Sequence, residues 1–193
     1  MTAAPHPATE LLKRPTRADA RRNYDRLIEA ARAAFQEDGG DASLEAIAKR
    51  AEVGIGTLYR NFPTRSALLE AVYAEEVEAI AAAAQDVADL PPWEALEAWL
   101  RHYARYSATK RAISEELIAS LGADSPVLTI CRTLLLDAGE PLVKRAQEAG
   151  ELRNDITFIE IARMLGALVT AKGAGDEEKA KLFGVALDGL RVR

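Results

Sequence analysis

The sequence predicts an all-α fold, and three observations carry that expectation. Alanine, leucine, glutamate and arginine dominate, aromatic residues make up only 6% of the chain, and runs of β-branched residues are scarce. Apolar residues recur at three- and four-residue spacing through successive segments, the period of a helix rather than the alternation of a strand. With 193 residues, 49% of them hydrophobic, the chain is long enough to bury a real core and is not of the disordered class.

The elements follow in order. Residues 1–18 hold Pro5, Pro7 and Pro15 among basic residues and predict a disordered arm. From Asp19 to Asp38, Tyr24, Leu27, Ile28, Ala31 and Phe35 mark an amphipathic helix ended by Gly39 and Gly40. Ser43 caps a short helix whose Leu44, Ile47, Ala48 and Ala51 form one face. Gly54 permits a fresh helical start, and Leu58 and Phe62 give that helix its buried side. Pro63 stops it, and Thr64 caps a much longer helix running to about Asp89. Pro91 and Pro92 open the next, which bears Trp93, Leu96, Trp99, Leu100, Tyr103 and Tyr106. A separate helix is expected over 112–121, closed by Gly122. Asp124, Ser125 and Pro126 then open one that kinks near Gly139 to Pro141 and ends at Gly150. Thr157 with Glu160 reads as a capping box, with Ile156 and Ile161 as its hydrophobic staple, for a helix to about Lys172. Asp176, Glu177 and Glu178 begin the last helix, to about Val192; its Leu182, Phe183, Val185, Ala186, Leu187 and Leu190 are too many for one narrow stripe. So wide an apolar face needs a partner, within the fold or from a second subunit.

The net charge of -5 divides unevenly. Residues 1–70 carry 11 Lys and Arg against 10 Asp and Glu, while the remainder carries 14 against 20. Lys13, Arg14, Arg17, Arg21, Arg22 and Arg26 cluster near the start, the asymmetry expected if only that end meets phosphate. One cysteine, Cys131, excludes an internal disulfide framework and fits a reducing compartment. Met1 to Glu10 lack the pattern of a secretory signal, and no apolar run approaches the ~20 residues that span a bilayer. A cytoplasmic protein with no membrane partner is the expectation.

Two short helices joined by a tight turn, the second polar on its outer side, form a helix-turn-helix, here in "LEAIAKRAEVGIGTLYRNF". Leu44, Ile47, Ala48, Val53, Leu58 and Phe62 face inward. Thr57, Arg60 and Asn61 face outward with Tyr59 at the margin, able to bond phosphate or base edges, and the glycines leave the helix start open to close backbone approach.

The run from "LIEAARAAFQEDGG" through "SLEAIAKRAEVGIGTLYRNFPTRSALLEAVY", about residues 20–73, resembles the DNA-binding head of the TetR family of bacterial transcriptional repressors. The resemblance implies an N-terminal three-helix head over 19–64, joined by a long helix to a helical ligand-binding and dimerisation domain over 65–193. It implies that Ile55, Gly56, Thr57, Arg60 and Asn61 face the major groove, and that Ser43, Tyr59, Arg65 and, to a lesser degree, Lys49 hold phosphates. The chain departs from the family in two places, Glu52 where glycine is frequent and Gly54 where serine is. Glu52 is therefore expected to accept a left-handed backbone, at roughly 1 kcal/mol, and its carboxylate repels DNA. The basic arm is either an ordinary tail or a strap that tracks the minor groove or backbone, as in other helix-turn-helix proteins.

Trp93, Trp99, His102, Tyr103 and Tyr106 concentrate aromatic character in an otherwise aromatic-poor chain. They read equally as core or as the wall of a ligand pocket between helices, with Cys131 and Met164 added to the ligand set. Cys131 also reads as a small core residue rather than a redox sensor. His6 is the only histidine besides His102, too few for a zinc site without carboxylates. Glu115 and Glu116 are adjacent on a helix and diverge, and no phosphate loop, G-x-S-x-G or Cys/His arrangement is present, so neither catalysis nor a cofactor is expected. A module that only sequesters ligand is the competing class, and the intact helix-turn-helix weighs against it.

The expected mechanism is a sequence-specific repressor. Two heads read a palindromic operator in double-stranded DNA, the homodimer forms through the last two helices, and a small apolar or amphipathic effector shifts the long helix from Arg65 and releases DNA.

Overall fold

A computed structural model describes residues 14–38, 41–122, 125–171 and 173–192. Among these it forms eight helices: α1 (Ala18–Asp38), α2 (Leu44–Arg50), α3 (Ile55–Asn61), α4 (Arg65–Asp86), α5 (Pro92–Leu121), α6 (Pro126–Glu148), α7 (Phe158–Val169) and α8 (Asp176–Leu190). They fall into two compact units, one made of residues up to Glu76 with Ala112–Cys131, the other of Val77–Arg111 with residues from Arg132 onward. The functional boundary expected at 64/65 coincides with the start of α4 and not with the edge of either unit.

In the first unit, α1, α2 and α3 pack on one another. The expected apolar stripe of α1 is buried, Leu27 and Ala31 completely, and meets Ile47, Leu58 and Phe62, which are also buried. Tyr24 lies against Phe62 with ring centroids 5.2 Å apart, pinning the C-terminal end of α3 to α1. Ser43 caps α2 by accepting from the Ala46 N–H at 3.0 Å, and Thr64 caps α4 by accepting from Ala67 at 3.1 Å.

The turn between α2 and α3 closes as a Schellman motif. The Val53 N–H donates to the Ala48 carbonyl at 3.0 Å and the Glu52 N–H to Lys49 at 3.1 Å. The motif requires a left-handed residue just past the cap, and that residue is Glu52, at φ 56°. The same motif ends α6, where Glu151 donates to Ala146 and Gly150 to Gln147, and there a glycine holds the left-handed position at φ 73°.

In the second unit the fully buried Trp99 donates its indole N–H to the Ile80 carbonyl at 2.9 Å. Its ring lies 5.4 Å from that of Phe158 and 6.0 Å from that of Tyr103. Phe158 fits because position 139 is glycine: a Cβ there would stand 2.5 Å from the Phe158 ring. Glu160 at the start of α7 accepts from the Thr157 N–H at 2.8 Å and hydroxyl at 2.6 Å. These bonds hold its carboxyl below the usual range. Glu151 accepts from the Trp93 N–H at 2.8 Å, and Arg145 donates to the carbonyls of Ala88 and Leu90, fixing the turn before α5.

Several expected boundaries move. The separate helix over 112–121 is the continuation of α5, a 30-residue helix from Pro92 to Leu121; no glycine or proline interrupts Trp93 to Leu121, so the helix has no local reason to end. The long helix from Arg65 ends at Asp86 and gives way to a turn before Asp89. α6 continues through Pro141 and ends at Glu148. α7 ends at Val169, capped by Thr170, and α8 at Leu190. Residues 1–13 of the arm, with Lys13 and His6, lie outside the described residues, as do Gly39, Gly40, Asp124 and Lys172.

Candidate nucleic-acid interface and ligand cleft

Helix α3 is short because both its ends are specified nearby. Gly54, extended at φ −69° and ψ 144°, is its N-cap, and Phe62 at the other end leaves helical geometry one residue before Pro63. Leu58 is completely buried, whereas Ile55 is 39% exposed and Tyr59 is 46% exposed. One side of the helix is thus used for packing and the other presents Ile55, Gly56, Tyr59 and Arg60, with Thr57 and Asn61 half-buried at its edges. A Cβ at Gly54 or Gly56 would meet nothing within 4 Å, so the start of the helix is open to a close neighbour.

The polar side chains on this face are ordered by their own helix. Arg60 donates to the Gly56 carbonyl and the Thr57 hydroxyl, each at 3.1 Å, and Asn61 donates to the Thr57 carbonyl at 2.8 Å. All three outward residues named from the sequence are therefore linked, with donors that a base edge or phosphate can claim in exchange. Ser43, the cap of α2, and Lys49, in its last turn, lie exposed.

Arg65 is oriented inward. Its Nε donates to Glu116 at 2.7 Å, its Nη1 to the Ala42 carbonyl, and its guanidinium stands over the Phe35 ring at 5.1 Å. It joins α1, the residue before the α2 cap, and the end of α5 within the first unit. Other members of the basic cluster are also engaged: Arg14 forks onto Glu75 at 2.6 and 2.5 Å, Arg22 pairs with Asp19, and Arg26 stands 4.0 Å from Glu52. The Arg26 contact places a positive charge beside the Glu52 carboxylate.

The residues expected to line a ligand pocket are mostly interior. Trp93 and Trp99 are buried, the first donating its indole N–H to Glu97 at 2.9 Å with Arg191 over its ring. Tyr106 is buried, and Cys131, 1% exposed, belongs to the first unit whereas the aromatic group belongs to the second. His102 and Met164 are half-buried, and His102 stands 3.4 Å from Arg105. Tyr103 is the member that reaches open space: with Arg132, Leu135, Phe158, Ala162 and Arg163 it lines a cleft of about 260 Å³, and burial raises its hydroxyl pKa.

A larger cleft of about 500 Å³ opens elsewhere in the second unit, lined by Ala98, Arg101, Ala104 and Arg105 of α5, Val169 of α7, and Asp176, Lys179, Ala180 and Phe183 of α8. Its size is that of a small-molecule site. None of its residues was expected as a ligand contact; Asp176 and Phe183 entered only as the start and the apolar face of the last helix. The signal was there in Ala98, Ala104 and Ala180, whose missing bulk leaves the space, and in Arg101 and Arg105, one helical turn apart.

Among the described residues no group of three or more His, Cys, Asp or Glu is placed to hold a metal ion, and no helix is long and apolar enough to cross a membrane.

Comparison with known proteins covers both units. Residues 27–72 match the model of bacterial regulatory proteins of the tetR family, and residues 91–192 match that of the C-terminal domain of SbtR-like transcriptional regulators. A TetR transcriptional regulator from Streptomyces coelicolor superposes with a TM-score of 0.73 at 38% identity, covering 86% of this chain and 97% of that one. A TetR transcription regulatory protein from Mycobacterium vanbaalenii gives 0.68 at 32% identity, covering 92% and 100%. The HTH-type transcriptional regulator UidR of Escherichia coli is 26% identical over 152 residues, 76% of this chain and 78% of its own.

Proposed function

Because the chain belongs to the TetR family of DNA-binding transcriptional regulators, we propose that it is a repressor that leaves a palindromic operator when a small molecule binds its second unit. The observation that supports this most directly is the exposed face of α3, where Arg60 and Asn61 both donate to Thr57 beside an unobstructed helix start. In this reading α3 enters the major groove with Ile55, Gly56, Thr57, Arg60 and Asn61 toward the bases. Ser43, Lys49 and Tyr59 hold the flanking phosphates. Arg65 acts from behind, fixing Ala42 and hence the cap of α2, with any direct phosphate contact secondary to that bond.

One such helix covers too few bases for useful specificity, so the head works in pairs. The pairing surface in our reading is the outer side of α7 and α8. Leu182 and Val185 remain 37% and 61% exposed there, while Phe183, Leu187 and Leu190 fill the core. Apolar side chains left outward at this spacing suit a second copy of the same helices.

The test is fluorescence anisotropy with DNA from upstream of the protein's own gene, over a range of salt. A specific complex with a steep salt dependence is expected, and Val185→Glu should give monomers in sedimentation together with at least a tenfold loss of operator affinity. Equal affinity for upstream and unrelated DNA would instead favour a ligand-sequestering module. A stable Val185→Glu dimer would exclude the proposed interface.

A further inference from the structure

The 500 Å³ cleft carries a charge opposite to that of the region around it. Residues beyond 70 hold 20 acidic against 14 basic side chains, yet the cleft is lined by Arg101, Arg105 and Lys179 against Asp176 alone. Arg101 is already committed, paired with Glu97 at 2.6 Å and standing over the Phe183 ring at 5.7 Å, so it forms wall. Arg105 and Lys179 form no ion pair among the described residues. Three cations against the two carboxylates of Glu97 and Asp176 leave one uncompensated positive charge. Between and beneath these groups the lining is apolar, with Ala98, Ala104, Val169 and Phe183. A neutral ligand leaves that charge unmet, and a dianion overshoots it.

We propose that this cleft binds an amphipathic monocarboxylate, its apolar body against Ala104, Val169 and Phe183 and its carboxylate held by Arg105 and Lys179. The assignment deepens the effector reading above by giving the effector a place and a chemical class, and only its regulatory part rests on that reading.

Calorimetric titration of the full chain with 4-phenylbutyrate and with 4-phenylbutan-1-ol tests it. The acid should bind at least about fivefold more tightly than the alcohol, and Arg105→Ala and Lys179→Ala should each weaken the acid by roughly threefold to fivefold, the scale of an exposed ion pair, while leaving the alcohol unchanged. Ala180→Trp, which fills an exposed edge of the cleft, should abolish both without lowering the melting temperature. Equal binding of acid and alcohol, insensitivity of the acid to both cation variants, or no binding by the wild type, as when a second copy covers the cleft, would overturn the assignment. Anisotropy with operator DNA separates the two readings. Binding with the expected mutant pattern but no change in operator affinity keeps the site and removes its effector role. Operator release by the acid that survives Ala180→Trp removes the site and keeps the effector reading.

Discussion

The first unit presents Tyr59 and Arg60 on a seven-residue helix specified at both ends, whereas the second folds most of its aromatics inward and leaves open space beside alanines on longer helices. Both arrangements follow from helix periodicity, but at different ranges. In the head, the caps at Ser43, Gly54 and Thr64 fix where α2, α3 and α4 begin, and so which side of α3 is free. In the second unit the helices run for many turns, and the free side depends on which neighbours they meet. A surface built from local signals is easy to change without unfolding. A cavity floored by long-range packing is not, except at an exposed edge such as Ala180.

The largest effect should come from the interior of the second unit. Trp99→Ala removes a fully buried ring that also satisfies the Ile80 carbonyl, and should cost about 3–5 kcal/mol. A shift of several degrees or more in the thermal midpoint would register it, and a loss below about 1 kcal/mol would mean the aromatic cluster is loosely packed. The contrasting change is Arg60→Ala, which should leave that midpoint unchanged and remove about 1–3 kcal/mol of discrimination between operator and unrelated DNA. If it lowered the midpoint as well, its bonds to Gly56 and Thr57 would be part of the fold, and the two regions would differ less than they do here.

Smaller changes sharpen the contrast within the helix ends. Glu52→Gly relieves the left-handed strain but gives the unfolded chain more freedom, so a net gain of about 0.5–1 kcal/mol is expected from denaturant unfolding. No gain would mean that Arg26, 4.0 Å away, offsets the strain. The smallest effect is at Glu160, whose carboxyl is held below its ordinary range by hydrogen bonds from Thr157. A lowered folded-state pKa gives stability that is present above the ordinary carboxylate range and lost as pH falls through the lowered value. The protection factors of amides in the first turn of α7, corrected for the intrinsic exchange rate, should therefore fall as the pH drops through that lowered range, and Glu160→Gln should remove that dependence. The same loss of protection in the variant would assign it to another group.

Local range also explains what could be read in advance. Ser43, Thr64 and Glu160 are each visible from three or four residues of sequence, and the buried positions of α1 and α3 follow from spacing alone. The left-handed backbone at Glu52 was legible because a family with glycine there implies the conformation. The orientation of Arg65 was not, since Glu116 is 51 residues away and nothing local pairs them. Nor was the sidedness of α8: six apolar residues surround it, and only packing decides that Phe183, Leu187 and Leu190 point inward and Val185 outward. Trp93 and Trp99 drew notice as a rare residue type, but large aromatics fill space. The cleft lies where side chains are small, and alanine carries no local pattern that marks a void.

The glutamate at the turn of the head has a genetic consequence. Its codons become glycine codons by a single base change, so the Schellman turn that α6 closes with Gly150 lies one mutational step away at Glu52. Selection for thermal tolerance should find that step early. The variant would also lose a negative charge at the turn that leads into α3, so, if α3 reads DNA as proposed, the relaxed turn should bind unrelated sequences more readily, and stability and selectivity should trade against each other at this one position.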